Sequence, residues 1–180
     1  MSKVPRYIPA TSKVLEALLV IVVDQQGIDI YHLVKAAYFA DKYHLERYGR
    51  PIAGDSYQAA PYGPLAQVAY GLLKHDPIEM LALQTNGKLP FSVDERFHVY
   101  AQREANTRLL SRTDLEALVG GSAHVRGRSF DELYEETHAD PAYANAMGGL
   151  MDYRDFIAED DPQGDAKRSA IADSAALAVF

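Results

Sequence analysis

Residues 35–74 read KAAYFADKYHLERYGRPIAGDSYQAAPYGPLAQVAYGLLK. An apolar stripe at Ile30, Leu33, Val34, Ala37, Ala40 or Asp41, and Leu45 leads into this stretch and continues through its first residues. That spacing predicts a helix to about Tyr48. Gly49-Arg50-Pro51 stops it, because glycine allows a left-handed turn and proline cannot continue a helix. Ile52 to Ala60 is short and extended in character, and Pro61-Tyr62-Gly63-Pro64 is a rigid turn. Pro64 suits the first position of a further helix, in which Leu65, Val68, Ala69, Leu72 and Leu73 follow the i, i+3, i+4, i+7, i+8 pattern.

Upstream, Thr11 or Ser12 caps a helix to about Asp24, with Leu15, Leu18, Leu19 and Val22 on one face. Gly27 ends it, and Asp29 caps the long helix. Downstream, Asp76-Pro77 opens a short helix to about Leu83, and Asn86-Gly87 is a turn. Leu89, Phe91, Val93, Phe97, Val99 and Ala101 alternate around Asp94-Glu95, which predicts a hairpin. Ser111 with Asp114, and Ser129 with Glu132, are capping boxes that start two more helices. Asp140-Pro141 starts another, ended by Gly148-Gly149. The polar run EDDPQGDAKRS, 159–169, reads as a solvated linker. The expected fold is mainly α with a small antiparallel β-sheet. It forms a single compact helical domain over 1–157, followed by an acidic linker and C-terminal tail over 158–180.

Composition narrows the function. The chain has 180 residues and no cysteine, which removes disulfide scaffolds, thiolate metal sites and cysteine nucleophiles. The longest apolar run, Ala17 to Val23, is far below the roughly 20 residues a membrane span needs. The first residues lack a secretion-signal pattern, so a cytoplasmic location is expected. The net charge of −7 is unevenly placed: 129–165 holds 11 acidic residues and one basic residue, Arg154. Nucleic-acid binding needs clustered Lys and Arg, so a basic protein is the better complement.

No motif argues for an enzyme. There is no G-x-S-x-G elbow, no P-loop and no G-x-G-x-x-G. We expect no catalytic residues, no metal, no cofactor and no small-molecule substrate. Glu135-x-x-His138 has the spacing of a carboxylate-bridged metal motif, but such a site needs a second segment on a facing helix. Glu95-x-x-His98 falls on the hairpin, where i and i+3 point to opposite faces. Glu135 and His138 therefore read as a surface helix with a structural histidine, and Asp41-x-x-His44 as a local pair on a helix surface. Seven of the 12 tyrosines lie between residues 31 and 70. Tyr31, Tyr38, Tyr43 and Tyr48 cannot share one stripe, so some are exposed or sit at an edge; such tyrosines either serve protein contacts or satisfy buried polar groups around the Gly/Pro turn.

The quoted segment resembles the signature of the Panacea domain, the SocA-like antitoxins of bacterial toxin–antitoxin systems. The matching positions are Tyr38-Phe39-Ala40-Asp41, His44-Leu45, Gly49, Pro51-Ile52, Gly54-Asp55, Tyr57, Ala59 and Tyr62-Gly63-Pro64. Leu110-Ser111, Asp114 and Phe130 to Thr137-His138 resemble the family's second half, so the likeness spans roughly Val14 to Tyr143. It implies a non-enzymatic antitoxin that binds and neutralises a cognate protein toxin. It also implies a second mode, delivery of the toxin to a ClpXP-type protease. The small apolar end AALAVF reads as a frayed last helix or as an end that an unfoldase pore engages. On this reading Tyr38, Asp41, Tyr57, Tyr62, Gly63 and Pro64 line the partner site or its supporting shell. The alternatives are a transcriptional autoregulator of its own operon, with Arg103, Arg108, Arg112, Arg126 and Arg128 as the candidate basic residues, and a small metal-dependent hydrolase.

Overall fold

The computed structural model describes residues 4–83 and 87–177. Its centre is helix α2 (Ile30–Tyr48), which Asp29 caps by accepting the His32 N–H and Gly49 ends in a left-handed conformation. This helix is buried well beyond its apolar stripe: Lys35, Tyr38, Asp41 and His44 are inside as well. It packs most extensively on α5 (Arg112–Val125). A Cβ on Gly121 of α5 would lie 2.8 Å from the Ala40 nitrogen, and closer still to the Ala36 carbonyl oxygen. The two helices therefore meet backbone to backbone. Helix α1 (Thr11–Asp24) covers another side with Leu15, Leu18, Leu19 and Val22. The expected Thr11 or Ser12 cap is absent, since the helix already includes both residues and the Thr11 hydroxyl faces Glu79 at 3.3 Å instead.

Three short strands, β1 (Ile28–Asp29), β4 (Phe91–Val93) and β5 (His98–Ala101), form an antiparallel sheet in the order β1-β5-β4. Ile28 faces Val99, and Phe91 faces Ala101. Phe97 does not join the inward alternation. It turns at φ +63° and is 57% exposed.

The second sheet departs from expectation. Strands β2 (Tyr57–Ala60) and β3 (Gly63–Ala66) pair in a hairpin with Ala60 opposite Gly63, leaving Pro61-Tyr62 as its two-residue tip. Pro64 is thus in a strand, and helix α3 (Gln67–Leu73) starts three residues later. The reason is a remote cap. Ala66 offers no side-chain acceptor, while the Asp55 carboxylate accepts the N–H groups of Val68 and Ala69, both at 2.9 Å.

The short helix α4 (Pro77–Ala82) and both capping boxes, on α5 and on α6 (Phe130–Ala139), fall where expected. Asn86 of the expected turn lies outside the described residues. Helix α7 (Pro141–Ala146) ends one residue early, with Met147 rather than Gly148 taking the left-handed C-cap. Residues read as solvated linker behave differently in their second half. Helix α8 (Gly164–Ala175) begins at Gly164, and Ile171 is fully buried. The Tyr7 hydroxyl donates to the Ile171 carbonyl at 3.1 Å, and Lys167 donates to the Glu46 carbonyl at 2.6 Å. One apolar residue among charges carries too weak a period to announce this helix. The last three residues of AALAVF lie outside the described residues.

Candidate functional site

The structure brings Tyr38, Asp41 and Tyr57 together inside the protein. Tyr57 donates its hydroxyl to Asp41 at 2.8 Å, and Asp41 also accepts the Ile52 N–H at 2.7 Å. Asp41 therefore holds the chain just after the Gly49 turn. Burial raises its pKa to about 6, with the two donors pulling it the other way. The Tyr38 and Tyr57 rings meet edge to face at 5.6 Å. Among the described residues the buried Tyr38 hydroxyl makes no hydrogen bond of ordinary geometry. Its pKa is raised by burial first and by the nearby Asp140 carboxylate second.

Asp55, of the Gly54-Asp55 step, is the second clamp. Its carboxylate accepts the Ser56, Val68 and Ala69 N–H groups, and Tyr153 donates to its carbonyl. Burial lifts its pKa to about 7 against those three donors. His44 and Asp41 do not pair with each other. His44 is fully buried, with Nδ1 2.8 Å from the Arg50 carbonyl and Nε2 3.3 Å from Asp114. Asp114 also meets Lys13 and Arg50 at 3.0 Å each, so α1, α2 and α5 converge on it.

Between these clamps the β2–β3 hairpin is fixed with its tip outward. Lys35 is buried and donates to the Pro64 carbonyl at 2.9 Å, and burial lowers its pKa to about 7. Gly63 adopts φ +96°, and a Cβ there would fall 2.6 Å from Thr137 Oγ1 and 2.9 Å from Lys35 Nζ. Only glycine lets the hairpin lie this close to α6. Tyr143 donates to the Ala60 carbonyl at 2.8 Å, and His138 Nε2 lies 3.0 Å from the same hydroxyl. The second Glu-x-x-His residue is thus structural here, while Glu135 points to solvent.

Tyr62, at the tip, is 66% exposed and stands edge-on to Phe130 at 6.0 Å. So the six expected site residues divide. Tyr38, Asp41 and Tyr57 are interior, Gly63 and Pro64 open the second strand of the hairpin directly after its tip, and Tyr62 faces solvent. Lys35, Asp55, Thr137 and the aromatic side of α6 complete the arrangement, and the sequence alone assigns none of them a place in the site. The spacing of Phe130, Tyr134 and His138 at i, i+4 and i+8 was the signal available for the last of these.

The candidate basic residues are largely committed elsewhere. Arg103 pairs with Glu16 at 2.6 Å, Arg112 with Glu116 at 2.9 Å and Arg126 with Asp24 at 2.8 Å. Arg128 pairs with Glu136. Arg108 has no carboxylate partner among the described residues. No group of three or more His, Asp or Glu is arranged to hold a metal ion among the described residues. No helix among them is long and apolar enough to cross a membrane.

Fold and site together define a mainly helical α+β domain in which buried carboxylates and a buried lysine hold a hairpin against one helix and turn its tip outward. Residues 33–143 match the family described as antitoxin SocA-like, Panacea domain, and the chain belongs to that family. The matched span opens within α2 and closes in α7, so it contains the hairpin and both capping-box helices. No curated protein matches the chain, and no solved structure does. Membership supports an antitoxin role, and with it a toxin partner, in general terms.

Proposed function

We propose that the chain neutralises a cognate protein toxin by binding it directly, with Tyr62 in contact and Tyr38, Asp41, Tyr57, Gly63 and Pro64 as the shell that holds the contact in place. The observation that carries this reading is the hairpin tip. Four buried polar side chains (Lys35, Asp41, Asp55 and Tyr57) hold the segment from Ile52 to Ala69 by hydrogen bonds, yet its central tyrosine is left in solvent. A rigid aromatic anchor costs little entropy on binding, which is what a protein contact favours.

A basic toxin is the natural complement, because 129–165 carries a formal charge of −10. Delivery to a ClpXP-type protease is the alternative mode. It gains no support from α8, whose Ile171 is buried and whose backbone is tied to Tyr7. Autoregulation by DNA binding is disfavoured by the pairing of four of the five candidate arginines. The test is co-expression with the product of the adjacent reading frame, in hosts with and without ClpXP. Growth rescue in both hosts supports direct binding. A neighbour that is harmless, or that stays toxic beside the chain, sinks the antitoxin reading. Rescue only where ClpXP is present sinks the direct mode.

A further inference from the structure

Three elements contribute rings to one face of the molecule. On α6, Phe130 and Tyr134 stack with centroids 5.9 Å apart, and Tyr134 and His138 stack at 3.7 Å, both pairs inclined by 26°. Tyr31 of α2 lies 4.5 Å from Phe130, and Tyr62 of the hairpin tip approaches it from another side. Phe130 is 42% exposed in spite of these neighbours. Tyr62 and Phe130 are the exposed rings of the group, with Tyr31 and Tyr134 partly buried beside them, and adjoining aromatic rings of this kind are favoured at protein contacts.

The exposed, unpaired charges beside the rings are both acidic. Asp131 and Glu135 sit one turn apart on the same helix, exposed, with no ion pair among the described residues. The other acids of α6 are engaged: Glu132 caps the helix through Ser129, and Glu136 meets Arg128 and His124. Lys35 is buried beneath Tyr31 with Nζ 5.0 Å from the ring centroid, and His32, bound to Asp29, stands edge-on to the same ring at 5.6 Å. The Tyr31 phenol is pushed up to about 12, by burial first and then by the Asp29 carboxylate, with smaller effects from Tyr134 and Asp131. Two exposed carboxylates without an ion-pair partner among the described residues thus stand beside the rings.

We propose that this face, Tyr31, Tyr62, Phe130 and Tyr134 with Asp131 and Glu135, receives an arginine-bearing segment of the protein partner. The inference rests on the antitoxin reading for the partner's being a toxin. A guanidinium is planar, so it stacks on a ring while its edge reaches a carboxylate in a fork. A lysine ammonium can do only one of these well. Arginine is thus the residue that uses both halves of the face at once.

The test uses a fluorescein-labelled nine-residue peptide with three arginines spaced by Gly and Ser, and lysine and glutamate versions of it. Binding to the full chain is followed by anisotropy. The arginine peptide should bind about fivefold or more tighter than the lysine peptide, and the glutamate peptide not measurably. Tyr62→Ala with Phe130→Ala should weaken it by about fivefold or more, and Asp131→Asn with Glu135→Asn by a similar factor. Glu159→Gln with Asp160→Asn removes the same charge elsewhere and should leave binding unchanged. Circular dichroism and thermal melts confirm that each variant is folded, and all these positions are exposed, so folding should survive. No binding of the arginine peptide, equal binding of the lysine peptide, or an equal loss in the Glu159/Asp160 variant overturns the assignment. If the neighbouring toxin is neutralised equally well by the Tyr62/Phe130 variant, this face falls and the antitoxin reading stands. If the peptide binds as described but no toxin is neutralised, the face stands and the antitoxin reading falls.

Discussion

The Tyr57 hydroxyl donates to the Asp41 carboxylate at 2.8 Å across the space between a strand and the central helix. Both residues are buried, so neither has water to fall back on. Tyr57→Phe removes the donor and leaves one carboxylate oxygen without its partner in the interior. The expected cost is about 1–3 kcal/mol of unfolding free energy. Urea denaturation followed by circular dichroism measures it. A midpoint unchanged from the parent protein would mean that the bond adds nothing.

The two interior carboxylates predict an unusual pH profile. Burial raises Asp41 to about 6 and Asp55 to about 7, against about 3.9 for an unfolded aspartate. Between those limits the folded state holds more protons than the unfolded state, so stability falls as pH rises. The contribution is fully present below about pH 4 and is lost through about 6 and 7. Asp29 and Asp114, whose pKa values are lowered, lose their contributions only in stronger acid. His32 is raised by its bond to Asp29 and acts in the same sense as the two raised acids, whereas His44 is lowered by burial and opposes them. The comparison that isolates the effect is Asp55→Asn, which removes one titration while leaving the others. The parent should lose more stability than this variant between about pH 5 and about pH 7.5. Parallel curves would reject the assignment.

Much of the architecture is legible in local signals, and the exceptions share a cause. The capping boxes at Ser111 and Ser129, the cap at Asp29 and the stop at Gly49 are written within a few residues of the helix ends they control. The start of α3 is not, because its cap is Asp55, 13 residues before Val68. Pro64 then looks like a helix opener, although its carbonyl is held by Lys35 in a strand. Asp41 and His44 look like a surface pair because their spacing is local, while their partners lie at Ile52, Tyr57, Arg50 and Asp114. The candidate site was readable to the same degree. Spacing shows that Tyr31, Tyr38, Tyr43 and Tyr48 diverge around a helix. It cannot show that Tyr38 is enclosed while Tyr62, from another element, stands over Phe130.

Gly63 tests how tightly the hairpin must lie on α6. Its φ of +96° and the 2.6 Å approach of a Cβ to Thr137 Oγ1 both oppose any side chain. Gly63→Ala should cost about 1–3 kcal/mol from the backbone alone, with the steric conflict added to it. Thr137→Ala removes one of the two obstructing atoms and also a hydroxyl that donates to the Leu133 carbonyl at 2.8 Å. The double variant should therefore lose less than the sum of the single losses, by about 0.5 kcal/mol or more. Strict additivity would show that the hairpin is not pressed against Thr137 in solution.

Helix α8 extends the same reasoning to the C-terminal segment. Its charged surface suggests a solvated tail, but Ile171 is fully enclosed, and Tyr7 reaches the Ile171 carbonyl and Ser174 Oγ at 3.1 and 2.8 Å. Tyr7 also packs edge-on against Tyr153 at 5.5 Å, so the segment before α1 and the helix at the other end close over the same core. Ile171→Ala leaves a cavity there and should cost about 2–4 kcal/mol. Because the cavity lies at the edge of the core, α8 should open before the remainder unfolds. Limited proteolysis should then cut within 159–170 faster in the variant than in the parent, with the body of the protein surviving as a stable fragment. Ser169→Ala, on the exposed side of the same helix, should change neither rate. An unchanged cleavage pattern for Ile171→Ala would make α8 a loosely associated tail, and would reopen the case for an end that a protease engages.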